Sequence, residues 1–134
     1  MLEINSTTQN ARVAVTIVNI KGDVDASNYE IFQSQTEKII SDGARYLLLN
    51  LQEVAYMSSA GLRAIHNLFS KLREIHKDAN DEELRKKMST GAYKSPYIKI
   101  VNVSPRVKEA FELGGFETYI EVYDEQNKAI NSFR

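Results

Sequence analysis

Apolar and polar positions alternate between two periods along this chain. Residues Val13 to Ile20 read VAVTIVNI, a β-branched run of strand length. Leu2 to Thr8 is a weaker strand, with Gln9-Asn10-Ala11 as a hairpin turn between the two. Gly22 and Asp23 end the stronger strand. The spacing Ser27-x-x-Glu30 predicts a capping box. It opens a helix with Tyr29, Ile31, Phe32, Ile39 and Ile40 as its apolar side, stopped at Asp42-Gly43. Tyr46 to Leu51, YLLLNL, is short and nearly all apolar, the pattern of a strand buried on both faces.

Met57-Ser58-Ser59-Ala60-Gly61 opens a second helix, in which Leu62, Ile65, Phe69 and Leu72 follow helical spacing. Tyr97 to Val103 is an alternating strand. Ser104-Pro105 supplies an N-cap followed by proline at the first helical position. Val107, Ala110 and Phe111 then face the core, and Gly114-Gly115 end that helix. Thr118 to Tyr123 is a last strand, and Asp124 caps a final helix with Ala129, Ile130 and Phe133. Strands alternating with helices predict an α/β fold: a four- to five-stranded, mostly parallel sheet flanked by helices. Residues 1–134 are expected to form one domain. Residues 77–95 break the pattern. They are charged and poor in apolar groups, and are expected as an inserted loop with a helical turn or two around Glu82 to Met88.

Composition narrows the function classes. The chain is 43% hydrophobic and 26% charged, ordinary for a globular domain, with a net charge of -1. Such a balance disfavours nucleic-acid binding, which needs a basic face; Arg85-Lys86-Lys87 reads as a solvated helix face. With no cysteine, thiolate metal sites, disulfides and cysteine nucleophiles are excluded, and a reducing cytoplasm is expected. No apolar run is long enough to span a membrane. His66 and His76 have no partner at ligand spacing, so no metal site is expected; His66 reads as half-buried and His76 as a solvated helix end. No phosphate-binding glycine loop is present, and no cofactor is expected. Ser59 lies between a strand and a helix, but Met57 stands where a nucleophile elbow needs glycine, so a serine hydrolase is disfavoured. Asp23 and Asp25, two apart after a strand, read as loop residues before an acid–base pair.

Ser58 and Ser59 carry two readings. The plain one is a helix cap. The sharper one notes that a hydroxyl at a helix start sits where unsatisfied N–H groups and the helix dipole favour negative charge. A phosphate there would be tolerated by the fold and would add about −1.5 to −2 charges to the surface.

Four stretches in order carry a family resemblance. They are Gly22-Asp23-Val24-Asp25, Leu47-Leu48-Leu49-Asn50-Leu51, Val54 to Arg63 (VAYMSSAGLR), and Val101-Asn102-Val103-Ser104-Pro105 with Val107, Phe111, Leu113 and Gly115-Phe116. Together they resemble the STAS domain of bacterial anti-sigma-factor antagonists, over almost the whole chain except residues 77–95. The family's signature runs aspartate, phosphorylated serine, Ser or Thr, then Gly. The resemblance implies Ser59 as phosphoacceptor, Gly61 as the glycine, and Asp25 as the family's loop aspartate. Ser58 stands in place of the usual acid and is a rival acceptor. The insertion is longer than the family's turn.

The resemblance implies a non-enzymatic partner switch. Its surface would comprise Asp23, Asp25, Ser58, Ser59 and Gly61. Its partners would be an anti-sigma factor that is also a serine protein kinase, and a serine phosphatase. Two alternatives keep other classes open: a non-switching STAS scaffold or transport-system subunit, and a small-nucleotide binder or enzyme.

Overall fold

The computed structural model describes residues 2–78, 81–91 and 93–134. Residues 79, 80 and 92, all within the expected insertion, lie outside the described residues.

Eight-residue strands β1 (Glu3–Asn10) and β2 (Ala14–Lys21) form an antiparallel hairpin in unbroken register. Helix α1 (Tyr29–Ser41) leads to β3 (Leu47–Glu53), and α2 (Ser59–Ile75) leads to α3 (Asp81–Ser89). Strand β4 (Ile98–Val101), α4 (Pro105–Gly114), a 3-10 turn (Phe116–Thr118), β5 (Val122–Tyr123) and α5 (Gln126–Ser132) complete the chain. The sheet order is β1-β2-β3-β4-β5, with every pairing after the hairpin parallel. The expected α/β sheet is therefore five-stranded, and β3 is its middle strand.

Alternation along the strands sorts the core into two layers. Val18, Ile20, Leu47, Leu49, Leu51, Ile98 and Ile100 face α1, α2 and α4, where Phe32, Ile40, Ile65, Leu68, Phe69 and Phe111 pack on them. Val15, Ile17, Leu48 and Val101 face the other way, under Ala129, Ile130 and Phe133 of α5. Leu47, Leu48, Leu49 and Leu51 are fully buried, as the unbroken apolar run requires.

A chain of amides runs across the sheet. Asn19 Nδ2 donates to Asn5 Oδ1 (3.1 Å), Asn50 Nδ2 to Asn19 Oδ1 (2.9 Å), and Asn102 Nδ2 to Asn50 Oδ1 (3.3 Å). Asn5, Asn19 and Asn50 are register partners, and Asn102 follows the last residue of β4. The side-chain amides of β1, β2 and β3 and of the residue after β4 thus satisfy one another across the sheet.

Several expectations give way to local competition. The hairpin turn falls at residues 11–13, because β1 stays paired through Gln9 and Asn10. The capping box at Ser27 does not form. Asp25 captures both the Ser27 N–H and its hydroxyl, and α1 begins at Tyr29 after Asn28, without a side-chain cap. Ile31, expected in the core, is 49% exposed; Phe32, Thr36 and Ile40 take the inward positions. The alternation read in β4 places Lys99 outward, yet it is buried, because α5 covers that face. The last strand is two residues long. Tyr119 and Ile120 are both buried in one layer, which a strand's alternation forbids, and the 3-10 turn delivers them there. Asp124 is not the cap of α5; Glu125 holds that position. His76 does end α2 as its C-cap, but it is half-buried there, stacked on Tyr97 at 3.8 Å and bonded to the Arg45 carbonyl. In the expected insertion, α3 is nine residues long and packs lightly, through buried Leu84 and partly buried Met88.

Lys99 anchors α5. Its ammonium donates to the Ser132 hydroxyl (2.8 Å) and carbonyl (3.2 Å), lies 3.3 Å from Glu121 Oε1, and sits 4.9 Å from the Phe133 ring centroid. A cation at the carbonyl end of a helix is well placed electrostatically. Lys99→Ala is expected to lower stability by about 2–3 kcal/mol, by loss of charged hydrogen bonds and of stem packing. Lys99→Met, which keeps the stem, is expected to cost less; urea unfolding of both variants measures the difference.

Candidate functional site

Strands β2 and β3 end side by side, and their exits are sewn together. Gly22 N donates to Glu53 O (3.0 Å), Val24 N to Tyr56 O (3.1 Å), and Ser58 N to Val24 O (2.9 Å). Val24 and Met57 form a parallel bridge. Asp23 Oδ1 accepts the Tyr56 N–H at 3.1 Å. A register shift between Asn19 and Lys21 precedes this seam, and the two loops leave the sheet as a pair.

The seam needs a residue without a side chain at position 61. A Cβ on Gly61 would lie 2.6 Å from Met57 Cγ and 2.9 Å from Val24 Cγ1. Gly61 is buried, so the first turn of α2 rests directly on the Val24–Met57 bridge. The glycine is required by this close approach.

The other side of the seam is equally constrained. Asp25 O accepts from Asn28 N and Tyr29 N. The Asn28 amide accepts from Asp25 N (2.9 Å) and donates to Asp23 O (2.8 Å). The Ser27 hydroxyl and then its N–H hold the Asp25 carboxyl below the usual aspartate range.

The two serines divide by burial. Ser58 occupies the N-cap of α2 with extended backbone, but its side chain makes no cap bond. Its Oγ is buried and has no hydrogen-bond partner. The plain reading of Ser58 as a side-chain cap therefore fails. Ser59, the first residue of α2, is exposed. The structure thus brings Asp23, Asp25, Ser58, Ser59 and Gly61 to one rim, with Gly61 beneath it and the rest around the start of α2. Sequence reasoning missed Tyr56 and Arg106: the ring is 38% exposed and the guanidinium carbon lies 5.0 Å from its centroid. Ser104 Oγ also reaches Ala55 O at 3.4 Å, tying the start of α4 to the same rim. The signal was the unexplained aromatic three residues before Ser59.

Other chemistry lies elsewhere. His66 Nδ1 is 2.8 Å from the Tyr119 hydroxyl, against Phe69 and Phe116, and burial lowers its pKa. Among the described residues, no group of three or more His, Asp or Glu is placed to hold a metal ion. No helix among them is long and apolar enough to cross a membrane. A concavity of about 720 Å³ lies at Lys94, Asn102, Lys108, Glu121 and Tyr123, away from the serines.

A family model described as the STAS domain matches residues 6–76, more than half of the chain and the whole of the seam. The chain belongs to the STAS-domain family. This STAS domain is 24% identical over 118 residues to BtrV of Bordetella bronchiseptica, named as a candidate anti-sigma factor antagonist; the match covers 88% of this chain and 85% of BtrV. Its fold is similar to that of a Thermotoga maritima protein described in the same terms, with a TM-score of 0.74 at 16% identity, over 98% of this chain and 94% of that one. It is also similar to SpoIIAA of Bacillus, an anti-sigma factor antagonist solved unphosphorylated and phosphorylated. The TM-scores are 0.57 and 0.60, each at 14% identity, over 94% and 97% of this chain and 94% and 100% of the other.

Two outcomes test the seam. Gly61→Ala is expected to cost about 1–3 kcal/mol by overpacking, and less in a Val24→Ala background, where room has been made. Chemical denaturation of the four proteins of that cycle measures the coupling. The lowered pKa of Asp25 sets a sign with pH. Its contribution to stability is present above the unfolded aspartate pKa and is lost as pH falls through the lower folded value. Ser27→Ala, which removes the first cause of the shift, is expected to raise the Asp25 midpoint in an NMR titration and to weaken this acid dependence.

Proposed function

We propose that this STAS domain is a cytoplasmic anti-sigma-factor antagonist, a non-catalytic protein that switches partners through phosphorylation of Ser59. Unmodified, it binds an anti-sigma factor that is also a serine kinase, and the sigma factor is released. The kinase transfers the γ-phosphoryl group of ATP to Ser59 Oγ: the new O–P bond forms, the bond to ADP breaks, and the hydroxyl proton is lost to solvent or a base of the kinase. A serine phosphatase hydrolyses the phosphoester and resets the cycle.

The observation that carries this reading is the contrast between the two serines. Ser59 is exposed at the first position of a 17-residue helix, while the Ser58 hydroxyl is buried. The names of the similar proteins and the seam geometry support it further. Asp23, Asp25 and Ser59 lie on a surface that hydrogen bonds hold rigid, so a partner docks without first ordering it. A doubly charged group entering that contact weakens it by roughly a hundredfold or more when no cation in the partner receives it, since one unpaired buried charge costs about 3–5 kcal/mol.

Incubation with the cognate kinase and ATP, read by intact mass, tests this. Wild type and Ser58→Ala are expected to gain one phosphate, and Ser59→Ala none, while Ser59→Asp is expected to bind the kinase poorly. Phosphate retained by Ser59→Ala and lost from Ser58→Ala would assign the switch to Ser58. An active, binding kinase that leaves the wild type unmodified would leave a non-switching scaffold.

A further inference from the structure

We infer that Arg63 is the positioning residue that receives the Ser59 phosphate within the same helix. The inference rests on the reading of Ser59 as the phosphoacceptor. It starts from a stripe rather than from the helix end. Ser59, Arg63, Asn67, Ser70 and Glu74 are the outward positions of α2, all exposed, while Gly61, Leu62, Ala64, Ile65, Leu68 and Phe69 are buried. Spaced by four, Ser59 and Arg63 are neighbours on one helix face.

The guanidinium has no carboxylate within helical reach. Positions three and four residues away hold Ala60, Ser59, His66 and Asn67, and the first turn of α2 contains no acidic residue. An anion preceding a cation by four residues is the favourable orientation for such a pair. The planar guanidinium also matches two phosphate oxygens at once, which an ammonium does not.

Charged groups at this rim include Asp23 and Asp25 on the sewn loop and Arg106 above the Tyr56 ring, with Lys21 and Glu53 at the paired strand ends. The Asp23 and Asp25 carboxylates oppose a second negative charge on the phosphate, and the two guanidiniums favour it. Of the two guanidiniums, Arg63 is the one on the helix face of Ser59, four residues away. Phosphorylation therefore changes the surface twice: it adds negative charge, and it takes Arg63 away from any docked partner.

The test uses the full chain with phosphoserine encoded at position 59, titrated by phosphorus NMR. An isolated phosphoserine loses its second proton at about pH 6. The wild-type midpoint is expected to lie about 0.3 unit below that of Arg63→Gln, a shift of the size of a helical ion pair. Arg63→Lys, which keeps the charge but not the bidentate fork, is expected to restore part of the difference, and Arg106→Gln to move the midpoint by less than half as much. Equal midpoints in wild type and Arg63→Gln, or an equal shift in Arg106→Gln, would overturn the assignment. A merely structural role for Arg63 would move the melting temperature and leave the phosphate midpoint unchanged. Because the phosphate is installed during synthesis, the titration does not depend on the kinase. A kinase that ignores Ser59 sinks the switch and leaves this result standing; an unchanged midpoint sinks Arg63 and leaves the kinase result standing.

Discussion

Strand β3 is apolar on both faces, and the rest of the architecture follows from covering it. Leu47, Leu49 and Leu51 need one layer of helices and Leu48 needs another. A strand with two buried faces belongs inside the sheet, and here it has parallel neighbours on both sides. Parallel neighbours place their carboxyl ends together, so the exits of β2 and β3 meet at one edge. That is where the loops carrying Asp25 and Ser59 are joined.

The join turns a shared edge into a rigid surface. Three backbone hydrogen bonds and the Asp23–Tyr56 contact bind the two loops to each other. Gly61 lets the helix settle on the Val24–Met57 bridge with nothing between them. Each piece depends on the others. Filling position 61 would lift the first turn of α2, which would move Ser59 away from the loop that carries Asp25. The exposed hydroxyl is thus held by contacts made almost entirely beneath it.

The same logic separates the residues at this rim. Ser58 and Ser59 are identical in chemistry and adjacent in sequence. The N-cap residue leaves the seam with its side chain turned into the protein, and the next residue begins the helix with its side chain turned out. One rotation of the helix later, Arg63 returns to the face of Ser59. The chemistry open to each side chain is decided by this turn of the backbone.

Much of this was written in local patterns. The run from Leu47 to Leu51 marked a doubly buried strand, because an exposed strand does not carry large apolar residues on both of its faces. Ser104-Pro105 and Gly115 marked the ends of α4, because proline's fixed φ and glycine's access to φ 74° act within a few residues. The ordered set around Ser59, Gly61 and Asp25 pointed to the STAS family for the same reason: each element is a short segment. What the pattern could not decide were contests between segments. Ser27 had the spacing of a cap, but Asp25 was nearer and stronger. Lys99 had the position of a solvent-facing residue until α5, from the far end of the chain, covered it. Thr118 to Tyr123 had strand propensity, but Tyr119 and Ile120 found burial on one side through a turn. Tyr56 and Arg106 meet only because α4 begins beside the loop that precedes α2. Sequence determines which structures each segment can form, since propensity and periodicity are local. Tertiary structure decides which hydrogen bonds and which burial prevail, since those energies belong to pairs of residues far apart along the chain.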